Sequence, residues 1–100
     1  MEEYRVIISP AAQNDFLDIE DYLNTLSPDM ATQYYAQFMD KMKMLLSVPD
    51  FRPFARDTQL RLRGYRMMSA ENYIIFYVIT GRTVEIRRIL YARRQYERLL

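Results

Sequence analysis

Hydrophobic positions recur along this chain with two different periods, and the switches between them mark its elements. Residues 4–9, YRVIIS, alternate, with Tyr4, Val6 and Ile8 on one side, and predict a short strand. Ser9-Pro10 predicts a helix start: a hydroxyl N-cap, then a proline whose missing N–H costs nothing at the first helical position. From there to about Leu26, Ala12, Phe16, Ile19, Leu23 and Leu26 recur every three to four residues as one apolar stripe. Asp15, Asp18, Glu20 and Asp21 lie mostly off it, so the outer side of this helix is acidic. Ser27-Pro28 repeats the start signal. A second stripe, Ala31, Tyr34, Tyr35, Phe38, Met42, Leu45 and Leu46, carries a helix to about Val48. No spacer separates the two helices, which predicts an antiparallel hairpin. Met30, Met39, Met42 and Met44 suit adaptable packing along it.

Residues 48–59, VPDFRPFARDTQ, hold two prolines and mixed polarity, and predict an irregular connector pinned by Phe51 and Phe54. Residues 60–69 begin by alternating, Leu60 and Leu62 against Arg61 and Arg63, and predict a strand with Gly64 as a bulge or a close approach. After a turn at residues 69–72, residues 73–80 are aromatic or β-branched and carry no charge, the composition of a central strand covered on both faces. Gly81-Arg82 supplies a two-residue type II′ hairpin turn, and residues 83–90 return as a further strand. Residues 93–100 contain no breaker and predict a short terminal helix with Tyr96, Leu99 and Leu100 packing back. The order is βααβββ(α), an α+β fold: an antiparallel meander with the helical hairpin on one face. Periodicity leaves open which sheet edge receives the first strand.

One hundred residues, half of them hydrophobic, suit a single domain over residues 1–100 with its own core. Cysteine and histidine are both absent, which excludes disulfides, thiolate and imidazole metal sites, and His-based triads. No metal and no cofactor is expected. No run approaches the roughly 20 apolar residues of a membrane span, and MEEYRV is not a signal peptide, so a cytoplasmic protein with no membrane partner is expected. The net charge of +1 hides an asymmetry. Residues 1–50 carry nine acidic and three basic groups, whereas residues 51–100 carry eleven arginines, no lysine and four carboxylates. Part of that charge can pair across the fold. The surplus of arginine predicts a basic patch suited to planar, bidentate contacts with phosphate or carboxylate.

Three stretches together resemble the RelE/ParE superfamily of bacterial toxins from type II toxin–antitoxin pairs, the plasmid-stabilisation or addiction-module toxins. They are YRVIISPAAQNDFLDIEDYL at 4–23, LRGYRMM followed by NYIIFYVI within 62–79, and VEIRRILYARRQYERLL at 84–100. The resemblance covers nearly the whole chain and is nearer the ParE side. It implies a growth-inhibiting toxin that is neutralised by a cognate antitoxin in a toxin–antitoxin hetero-oligomer. RelE-like members cleave mRNA on the ribosome, ParE-like members poison DNA gyrase, and some relatives show no clear activity, so all three outcomes stay open.

Cleavage of RNA through its 2′-hydroxyl needs a proton acceptor, a donor and cations for the developing charge. In the ribonuclease reading the catalytic candidates are Arg66, Tyr91, Arg93 and Arg94. Two charges that face phosphate in that branch are missing: Asn72-Tyr73 stands where an arginine opens the strand, and Met68 is apolar. Tyr91, Ala92 and Gln95 stand where many ParE-like members carry His, Gly and Asp. For contact with target or antitoxin the candidates are Arg61, Arg63, Arg87, Arg93, Arg94 and Tyr96. A basic face with interleaved aromatics suits an acidic segment that folds on binding. Tyr73 and Tyr77 suit sheet packing. Arg88 shares strand parity with Val84 and Ile86, so either it pairs with a first-helix carboxylate, Asp15 or Asp18, or a bulge turns it outward.

Overall fold

Two serines start the two long helices and also tie them to what precedes them. Ser9 Oγ accepts the Ala12 N–H at 3.1 Å, opening helix α1, Pro10–Leu26. The same hydroxyl donates to the Arg87 carbonyl at 3.0 Å, so the cap also ties the helix to the sheet. Ser27 closes α1, donating its N–H to the Leu23 carbonyl, and opens helix α2, Pro28–Ser47, by accepting the Asp29 N–H. One residue thus makes the whole turn of the hairpin. The structure, a computed structural model, describes residues 3–51 and 53–93. The expected terminal helix at 93–100, with Arg94 and Tyr96, lies outside these residues apart from its first position.

Four strands form one sheet: β1, Arg5–Ile8; β2, Arg66–Ala70; β3, Tyr73–Thr80; and β4, Thr83–Tyr91, in the order β1-β4-β3-β2. The last three make the expected antiparallel meander, and β1 adds to β4 in parallel, Val6 opposite Val84 and Ile8 opposite Ile86. At the β3–β4 turn the positive φ, +61°, falls on Gly81 and not on Arg82, as a type II′ turn requires. The β2–β3 turn, also of two residues, puts Glu71 at φ +55°, where Gln37 Nε2 donates to its carboxylate.

Strand β3 is covered on both faces, and its alternation sorts the core into two layers. Ile75 and Tyr77 lie on the helix side with Ala12, Phe38, Met42, Leu45 and Ile86. Ile74, Phe76 and Val78 lie on the other, with Ala55, Leu60, Tyr65 and Leu90. Tyr77 is a packing residue, fully buried, its hydroxyl donating to the Pro49 carbonyl at 2.5 Å. Leu26 and Tyr35, placed on the apolar stripes by spacing, are half-exposed, because the ends and outer flank of the hairpin extend past the sheet.

Residues 60–69 do not form one strand. A 3₁₀ turn, Pro49–Phe51, and a short helix α3, Thr58–Leu62, occupy the connector, and β2 begins only at Arg66. Asp57 caps α3 by accepting the Leu60 N–H at 3.0 Å. Gly64, at φ +83°, ends it: its N–H reaches the Arg61 carbonyl and that of Tyr65 reaches Leu60, a Schellman closure. Gly64 is therefore a helix stop and not a bulge. A four-residue alternation fits one helical turn as well as a strand, and Leu62, 77% exposed, shows that its two leucines never shared a buried face. Phe54 is half-exposed instead of buried, with the Arg66 guanidinium 3.9 Å from its ring centroid. The Phe51 side chain lies outside the described atoms.

Two predictions follow from this packing. An added Cβ at Gly64 would meet nothing within 4 Å, so Gly64→Ala should cost only backbone strain, about 1–2 kcal/mol in urea unfolding. The second concerns Tyr34, 3% exposed, whose hydroxyl has no hydrogen-bond partner among the described residues. Burial raises its pKa far above the ordinary tyrosine value, and the nearby Tyr73, Glu20 and Asp15 charges add to the shift. Above pH about 10 the unfolded chain loses this proton while the folded chain keeps it, so stability falls as pH rises. Tyr34→Phe should raise stability at neutral pH by about 1 kcal/mol and flatten the alkaline decline, as measured by urea unfolding between pH 8 and 11.

Candidate functional site

The basic candidates are distributed by one irregularity in β4. Phe76 pairs with Arg88 and Tyr77 with Ile86, so Arg87 is an extra residue with no partner on β3, a β-bulge. Before the bulge Val84 and Ile86 face the helices; after it Ile89 does, and Arg88 is turned to the other side. Both routes foreseen for Arg88 operate together. Its Nε and Nη2 donate to the Asp15 carboxylate at 2.6 and 2.9 Å. The Ile89 N–H, beyond the end of β1, donates to the same carboxylate at 2.9 Å. Hydrogen bonds to Asp15 raise the pKa of Arg88 above its ordinary value, so the guanidinium stays charged. Arg88 is a structural cation, and Arg87 takes the surface.

Arg87 and Arg63 flank Tyr65, a buried residue of the second core layer. Their guanidinium carbons lie 6.0 and 5.2 Å from its ring centroid. Arg63 and Arg87 thus form a basic pair at Tyr65, on the face away from the helical hairpin, and Arg61 is exposed on α3, two positions before Arg63. Glu85 pairs with Arg87, an exposed contact of small energetic weight.

Arg66 lies elsewhere. It sits on β2 opposite Tyr77, stacked on Phe54, with Nη1 donating to the Asp50 carbonyl at 3.3 Å. Tyr91 ends β4 opposite Tyr73. Four residues along β3 and two strand spacings separate these positions, about 13 Å along the strands and about 10 Å across them. Arg93 is exposed two residues beyond Tyr91, at the end away from Arg66. Met68 is buried in the core. Arg66 and Tyr91 are thus not brought together, whereas Arg63 and Arg87 are. Among the described residues no group of three or more acidic side chains is placed to hold a metal ion. No described helix is long and apolar enough to cross a membrane.

Three features carried no local signal. Tyr65 as a floor between arginines depends on α3 folding back over β3. Arg82, 4.1 Å from the Tyr4 ring centroid, depends on β1 joining β4. Tyr22 gathers with Tyr73 and Tyr91 in one cleft. On the opposite side of the hairpin an apolar groove of about 260 Å³ runs along Phe16, Leu17, Tyr35, Phe38 and Met39.

The family described as "ParE toxin of type II toxin-antitoxin system, parDE" matches residues 6–96. Toxin ParE1 of Mycobacterium tuberculosis, from strains CDC 1551 and H37Rv, is 29% identical over 98 residues, covering 96% of this chain and 97% of that protein. A solved chain of the chromosomal ParDE TA system from P. aeruginosa shares the fold with a TM-score of 0.74 at 18% identity, covering 90% of this chain and 97% of its own. With a family match across most of its length, this chain belongs to the ParE toxin family of type II toxin–antitoxin systems.

Proposed function

We propose that the protein inhibits growth by binding, with DNA gyrase as its target, and that a cognate antitoxin neutralises it. The observation that carries binding over catalysis is the separation of Arg66 from Tyr91. General acid–base chemistry needs its groups within hydrogen-bond reach of one scissile phosphate, and these two positions are about 16 Å apart by strand geometry. Burial, followed by the charges of Tyr22 and Tyr91, holds the neighbouring Tyr73 phenol above its ordinary pKa, which suits a packing ring better than a base.

Two surfaces support capture of an antitoxin. The apolar groove along Leu17, Tyr35 and Met39 suits the apolar face of a helix, and the arginines around Tyr65 suit acidic residues leading to or from it. Arg61, Arg63 and Arg87 are the residues assigned to recognition, with Arg93 at the far end of β4.

Induction in a bacterial host, read by supercoiling and cleaved-complex assays on gyrase and by primer extension on translated mRNA, should give trapped gyrase–DNA complexes and intact message. Codon-positioned cleavage would identify a ribosome-dependent endoribonuclease instead. Growth with neither effect would identify a non-toxic antitoxin-binding homologue. Co-expression with the acidic product of the adjacent reading frame should restore growth and yield a stable complex. Arg63→Glu combined with Arg87→Glu should weaken that complex by about tenfold or more while leaving the folded state intact, as read by calorimetry and circular dichroism.

A further inference from the structure

The cleft holding Tyr22, Tyr73 and Tyr91 sets three phenol rings beside a carboxylate. Tyr22 is 58% exposed and Tyr91 40% exposed, two large rings from α1 and β4 held in solvent across an opening of about 500 Å³. Tyr73 packs on the helix side of the sheet. Its ring centroid is 5.9 Å from that of Tyr91, at 67°, and its other side is backed by Tyr34 at 5.6 Å. Ile19 completes the apolar lining. Asp18 stands one helical turn before Tyr22, on the same side of α1, and lines the cleft. Among the described residues no arginine or lysine is paired with it.

An apolar occupant would leave the Asp18 carboxylate desolvated against it, and an anion would be repelled. A cation satisfies both halves of the site. The electron-rich ring faces attract it, and the carboxylate neutralises it. A guanidinium also stacks on a ring as a flat plate and keeps its edge N–H groups for the carboxylate. We infer that this cleft receives the cationic side chain, arginine before lysine, of a partner polypeptide. The surface then has two poles of opposite preference: arginines around Tyr65 for acidic groups, and Asp18 among tyrosines for a basic one. A partner spanning both is fixed in orientation as well as in place.

The test uses the full chain with ¹³C-labelled tyrosine rings, titrated with N-acetyl-arginine methylamide and, separately, with the citrulline analogue. Citrulline keeps the shape and loses the charge. The ring signals of Tyr22, Tyr73 and Tyr91 should shift together and saturate in the millimolar range, on the order of 1–10 mM for a single side chain, with little response to citrulline. Asp18→Asn should weaken binding about five-fold, and Tyr22→Leu by a similar factor, without changing the signals of Tyr4 or Tyr65. Equal response to citrulline, absence of saturation, or unchanged affinity in both variants would overturn the assignment.

Discussion

One carboxylate holds the basic half of this protein in order. Asp15 accepts three N–H groups from β4, two from the Arg88 guanidinium and one from the Ile89 backbone. These charge-assisted contacts are the strong kind, each about twice a neutral hydrogen bond, and they join the middle of α1 to the strand just beyond the bulge. Ser9 holds the other side of the bulge through the Arg87 carbonyl. With both anchors in place the register shift is fixed, Arg88 is engaged by Asp15, and Arg87 lies beside Arg63 at the Tyr65 ring.

That arrangement reconciles the charge asymmetry of the chain with its surface. The acidic first helix neutralises part of the arginine-rich second half, but by one well-placed pair and not by general cancellation. What remains divides by face. Arginines gather over the second core layer, and an apolar groove lies along the helical hairpin. At the far end of β4, tyrosines meet a carboxylate.

Much of the fold was legible because its signals are local. Ser9-Pro10 and Ser27-Pro28 fix two helix starts by capping chemistry within three residues, and Gly81 fixes the hairpin by its own φ. Residues 60–63 misled because alternation over four positions does not distinguish a strand from a helical turn; the deciding signals were Asp57 before them and Gly64 after. The edge taken by β1 is set by pairing across more than 70 residues, which no local pattern encodes. Within the site, the ambiguity of Arg88 was visible from parity alone, and Asp15 was among its named partners. The consequence for Arg87 was not visible, since the bulge is set by tertiary anchors. The tyrosine cleft assembles residues 22, 73 and 91 from two strands and a helix, so it too was beyond local reasoning.

Asp15 and Arg88 act as one structural unit. A double-mutant cycle with Asp15→Ala and Arg88→Ala, read by urea unfolding, tests it most directly. A coupling energy of about 2 kcal/mol is expected, with the double variant barely less stable than either single one. Additive losses with coupling near zero would contradict a structural pair.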